Sequence, residues 1–202
     1  MTVRQVPRAI TEAAIQQVFS TFADYERAES YSPETRGRIL TSGAALGARD
    51  GDSVAGHACF LRMISIVEAF VDTLLAALFR ENAPMTHDLV RRLVETTELR
   101  ASITWDERRA AFEGFHGVRL GQLDRWSELD AGIEVRNAIA HGLGRLTPRQ
   151  QEKALAGKLS QVGVSVRDGA VIISSESLLR CRDVSVAFIA SLDASTGRRQ
   201  TR

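Results

Sequence analysis

Apolar residues recur every three to four positions along most of the chain, and that spacing predicts a mainly α protein. Over residues 10–29 the stripe is Ile10, Ala14, Ile15, Val18, Phe19, Phe22 and Tyr25, and Pro33 marks the end of this first helix. Gly37 to Gly51 contains four glycines and no period, so it reads as a loop or a frayed helix. The longest stripe runs from Val54 to about Phe79, with Asp52 and Ser53 as N-caps and Phe60, Met63, Ile64, Val67, Phe70, Val71, Leu74, Leu75, Leu78 and Phe79 inward. It is the expected central helix. Thr86 caps another helix to about Leu99, and Thr104-Trp105-Asp106-Glu107 has the form of a capping box for a helix that ends near Gly114. A further helix runs from about Leu123 to His141. Thr147-Pro148-Arg149-Gln150 then opens a short one to about Leu159.

Strict alternation appears only near the end. Val162 to Val166 and Ala170 to Ile173, joined by Arg167-Asp168-Gly169, predict a β-hairpin with an Asp-Gly turn. Two strands are marginal alone, so the hairpin must lean on the helices. A closing helix over about Ser177 to Leu192 follows. The whole is an antiparallel helical bundle with a small hairpin before its last helix. Residues 1–50 form an N-terminal helical arm and loop, 51–194 the helical domain and 195–202 a disordered tail.

Composition narrows the setting. The chain has 202 residues, 44% hydrophobic and 25% charged, which suits one well-cored soluble domain. A formal charge of +1 argues against nucleic-acid binding through bulk charge, so any such affinity needs a local patch. Arginine outnumbers lysine by 24 to 2, which supplies forked phosphate donors for one. No apolar run approaches the roughly 20 residues that cross a bilayer, and the N-terminus lacks the apolar core of a signal peptide. Cys59 and Cys181 lie on helical stripes at no metal-binding spacing, and read as reduced core thiols of a cytoplasmic protein. With no phosphate loop, nucleophile elbow or metal cluster, no cofactor is expected.

The chemistry concentrates in Glu134-Val135-Arg136-Asn137-Ala138-Ile139-Ala140-His141-Gly142, after which Gly142 and Gly144 stop the helix. Asn137 and His141 are four residues apart and share a face, whereas Arg136 lies about 140° round the axis from His141. The arginine must curl its long stem to share a site with the histidine. In the last turn, the negative end of the helix dipole favours imidazolium. Among so many arginines an Arg-x4-His pair is commonplace, but an asparagine directly after the arginine is about a hundredfold rarer, because the chain has only two. A purely structural alternative remains, with the arginine snorkelling to the surface and the histidine capping the last carbonyls. Arg109 and His116 form a second, looser pair. It ranks far lower, because Ala110 follows the arginine and Gly114 is expected to break the helix before the histidine.

Arg136-Asn137-x3-His141 followed by glycine resembles the Arg-x(4–6)-His signature of the HEPN superfamily, in which a polar residue, often Asn, follows the arginine. The order of a long helix carrying Val67-Glu68-Ala69-Phe70, the motif helix, a short helix, a hairpin and a closing helix resembles its RiboL-PSP-type branch, from roughly Val54 to Leu192. That resemblance implies a metal-independent ribonuclease of a toxin–antitoxin or antiviral system, acting as a homodimer whose motif helices meet in a composite cleft. It assigns acid/base work to His141, phosphate binding to Arg136 and an orienting or phosphate-contacting role to Asn137, with Arg145 as a candidate guide for the RNA. Glu68 is either a solvated residue at the edge of its stripe or a partner that holds Arg136. The alternative function is a non-catalytic HEPN module that binds nucleotides or dimerises, with a nucleotidyltransferase or antitoxin as its partner.

Overall fold

The computed structural model describes residues 8–30, 54–82, 87–152 and 155–197. The architecture is mainly α, a helical bundle with one small antiparallel hairpin before the last helix. Its helices are α1 (Ala9–Ser30), α2 (Val54–Asn82), α3 (Asp88–Ala101), α4 (Trp105–His116), α5 (Trp126–Gly142), α6 (Pro148–Glu152), α7 (Ala156–Leu159) and α8 (Ser175–Gly197). Strands β1 (Ser165–Arg167) and β2 (Ala170–Ile172) pair in front of α8. The N-caps expected at Asp52, Ser53 and Thr86, the glycine-rich loop from 37 to 51 and the last five residues lie outside the described residues. Among the described residues no helix is long and apolar enough to cross a membrane.

The chain divides into two compact units, one of residues 1–15, 66–126 and 186–202, the other of 16–65 and 127–185. In the first, the apolar stripe of α2 from Ile66 to Phe79 is buried together with Val94 of α3, Phe112 of α4 and Phe188, Ile189 and Leu192 of α8. Each such side chain contributes about 1.5–3 kcal/mol on burial. Trp105, Trp126 and Phe188 form an aromatic cluster with centroids 5.7–6.4 Å apart. Thr104 caps α4 as its sequence predicts, accepting from the Glu107 amide at 3.2 Å.

Four boundaries differ from the sequence expectation. Helix α4 continues through Gly114 to His116 and stops at Gly117, which takes the left-handed conformation at φ 60°. Helix α5 starts at Trp126, because Leu120–Gln122 is a 3₁₀ turn and Arg125 itself is left-handed at φ 61°. The segment opened by Thr147 forms two short helices, α6 and α7. Helix α8 extends to Gly197, so residues 195–197 are helical: the buried Thr196 accepts from Arg8, and the same guanidinium meets Asp193 at 2.8 Å.

In the second unit, α2 and α5 approach closely at Gly132, where a Cβ would lie 3.1 Å from Ile64 Cδ1. Phe60, Met63 and Ile64 of α2 are buried, as are Leu129, Val135 and Ala138 of α5. The hairpin turn puts Asp168 at φ 51° and Gly169 at φ 77°, the two left-handed residues of a type I′ turn. Cys59 and Cys181 are buried and free, and burial pushes the Cys59 thiol up to about 11 and the Cys181 thiol higher still.

Candidate active site

Helix α5 buries residues 129, 131–133, 135, 138 and 139, which leaves Ser127, Asp130, Glu134, Asn137 and His141 along its other side. Two of these are tied to the short helices. Lys158 Nζ of α7 meets Asp130 at 2.7 Å, and the buried Gln150 of α6 donates to both the Glu134 carboxylate and its backbone carbonyl at 2.9 Å. The Gln150 amide oxygen accepts in turn from the Thr147 amide at 3.1 Å and hydroxyl at 3.2 Å. One side chain thus caps α6 and pins α5 two residues before the arginine. The N3 glutamine was legible in the sequence as a cap; its hold on Glu134 was not.

Arg136 projects from the buried side of α5, at the angle expected from its spacing. It is half-buried, and its Nη1 donates to Asn137 Oδ1 at 3.3 Å. The guanidinium therefore turns back along its own helix toward the side that carries Asn137 and His141. His141 is exposed in the last turn and makes no hydrogen bond among the described residues. Arg136 and Asn137 are joined directly; the imidazole stands one turn on from Asn137, open to solvent.

The turn after His141 is unusual. Leu143, 92% exposed, is left-handed at φ 52°, and Gly144 follows at φ 83°, its amide donating back to the Ala138 carbonyl at 3.2 Å and so closing the end of the helix. The His57 ring of α2 packs on Gly144, where a Cβ would sit 3.1 Å from Cε1. The place of His57 against the turn that ends the motif is a contact no local pattern signals.

Arg145 comes next and is exposed, with its Nη2 donating to the Asp168 carbonyl of the hairpin turn. Glu68 belongs to the first unit, half-buried, and accepts from Trp105 Nε1 at 3.1 Å. One turn on, Asp72 takes the buried Arg108 through two bonds of 2.8 Å. Glu68 and Asp72 thus anchor α4. Among the described residues no three His, Cys, Asp or Glu side chains gather to hold a metal.

No family model matches the chain, and neither a curated protein nor a solved structure matches it.

Proposed function

We propose that this protein is a metal-independent endoribonuclease that cleaves RNA by attack of the ribose 2′-hydroxyl on the adjacent phosphate, and that it serves as a toxin or antiviral effector. The observation that carries the reading is the end of α5, where an exposed imidazole stands one turn past an asparagine whose amide oxygen holds a half-buried guanidinium. Transesterification needs a base to take the 2′-proton, an acid to protonate the departing 5′-oxygen and a cation for the five-coordinate phosphate. Arg136 has the forked geometry for the phosphate, and Asn137 steadies that fork. His141 moves the protons. The bond from the 2′-oxygen to phosphorus forms as the bond to the 5′-oxygen breaks, leaving a 2′,3′-cyclic phosphate and a 5′-hydroxyl.

One chain provides a single imidazole of this kind, whereas the reaction uses both a base and an acid. Two copies with their α5 helices face to face supply the pair, so the reading includes a homodimer. DNA lacks the nucleophile and is not cut.

The test is incubation of labelled RNA with the pure protein in excess EDTA, beside Arg136→Ala and His141→Ala. Cleavage that survives the chelator and falls about 100- to 1000-fold in each variant supports the enzyme. Equal inactivity of all three proteins, with dimerisation retained, would instead assign the chain to the non-catalytic modules that bind nucleotides or pair with a nucleotidyltransferase or antitoxin.

A further inference from the structure

The hairpin does more than close the bundle. Residues 144–146 run along the open edge of β2, with the Leu146 amide donating to Gly169 at 2.8 Å and the Val171 amide to Gly144 at 2.9 Å. Ala170 therefore has a neighbour on each side, Arg167 across the hairpin and Arg145 across the edge. Directly opposed residues of an antiparallel ladder project from the same face, so Arg145, Ala170 and Arg167 stand in one row. The next residues, Leu146 and Val171, turn to the other face and are buried.

The two arginine Cα atoms lie roughly 10 Å apart, one narrow and one wide pair spacing added together. Only a methyl group stands between them. Both side chains are exposed; Arg145 spends one amino group on the turn carbonyl, and Arg167 makes no side-chain bond among the described residues. Arg149 on α6 is a third exposed arginine in this stretch, and Asp168 at the turn is the nearby acid. Like charges in one row repel, so the row is stabilised by an anion lying across it.

We propose that Arg145, Ala170 and Arg167 form a phosphate clamp for a single strand of RNA. The methyl of Ala170 is the floor, and a guanidinium on either side forks onto the backbone phosphates. The identity of the polyanion rests on the ribonuclease reading. Arg145 is four residues past His141, a span of at most about 14 Å, so a strand lying in the clamp passes within a few nucleotides of the imidazole. A contact of this kind positions the strand without reading its sequence.

Binding of labelled single-stranded RNA, followed by anisotropy across a salt series in a His141→Ala background that cannot cut, tests the clamp. Adding Arg145→Ala with Arg167→Ala should weaken binding about tenfold at low salt and reduce the slope of log K against log salt by about 1.4, at about 0.7 per lost phosphate contact. Ala170→Glu, which places a carboxylate between the arginines, should do at least as much, while Ala170→Ser keeps most of the affinity and the double lysine replacement keeps the slope but loses part of the affinity with the forks. An unchanged slope in the double alanine variant overturns the clamp, as does failure of the parent to bind RNA, or displacement of RNA by polyglutamate as readily as by unlabelled RNA. The two readings fail separately. A wild-type protein that cuts RNA with an unchanged slope keeps the nuclease and loses the clamp; one that binds with the predicted slopes but never cuts does the reverse.

Discussion

Helices α4 and α5 each carry an arginine followed within seven residues by a histidine, and the fold treats the two pairs in opposite ways. On α4, Arg109 is exposed, paired with Asp106 at 3.4 Å and laid over the Trp126 ring at 5.6 Å, while His116 sinks among aromatic rings, 4.9 Å from Phe79 and 6.1 Å from Phe112. On α5 the order is reversed: the arginine is half-buried and the histidine stands in water. A histidine that shuttles protons must reach its substrate, and one wedged between phenylalanines serves packing. Spacing along the chain cannot separate these cases, because what divides them is the neighbours that each helix end acquires.

The sharpest way to break this comparison is to cross it in the cleavage assay. Arg136→Ala and His141→Ala should each cost about 100- to 1000-fold in rate, about 2.7–4 kcal/mol of barrier. Arg109→Ala and His116→Gln should leave the rate within about twofold, since neither side chain is proposed to touch the reacting atoms. Loss of cleavage with His116→Gln in a protein that is still folded would move the active site to α4.

A pair of glycines gives the next largest effect. Gly144 has a left-handed φ of 83° and the His57 ring against it, so Gly144→Ala is strained both by backbone and by contact and should destabilise by about 1–2 kcal/mol. Gly114 sits in the body of α4 with open space where a Cβ would go, so Gly114→Ala should stabilise by up to about 1 kcal/mol. Urea denaturation of both variants reads the difference directly. Equal shifts of the same sign would mean that neither the turn nor the His57 contact constrains the end of the motif.

The same glycines show which parts of the fold could be read from residues alone. Local chemistry was legible: the Thr104 cap, the Asp168-Gly169 turn and the stripe of α2 each depend on residues a few positions apart. Gly114 misled because a glycine only weakens a helix interior, and the packing of Phe115 and His116 on Phe79, with Phe112 against His116, carries α4 on to Gly117. For the candidate site, spacing put Asn137 on the face of His141, but its hydrogen bond to Arg136 depends on how the arginine stem folds and was not legible. The edge pairing of Arg145 with Ala170 and the His57 contact join residues 25 and 87 positions apart, where no periodicity reaches.

The smallest expected effect is on stability against pH, and it comes from the packed histidine of α4. Burial among the phenylalanines lowers the pKa of His116 below the ordinary 6.5, overriding the favourable dipole at the end of α4. Above pH 6.5 the ring is neutral whether the chain is folded or not, and contributes no slope. As the pH falls below that value the unfolded chain takes up the proton first, so stability declines until the lowered folded-state pKa is passed, and then levels off. Replacing the imidazole by His116→Leu removes this component, so the variant should lose less stability than the parent between pH 7.5 and 5.5. Parallel curves for the parent and His116→Leu would mean that His116 takes up its proton as easily in the folded protein as in the unfolded chain, and would remove the contrast between a packed and an accessible histidine.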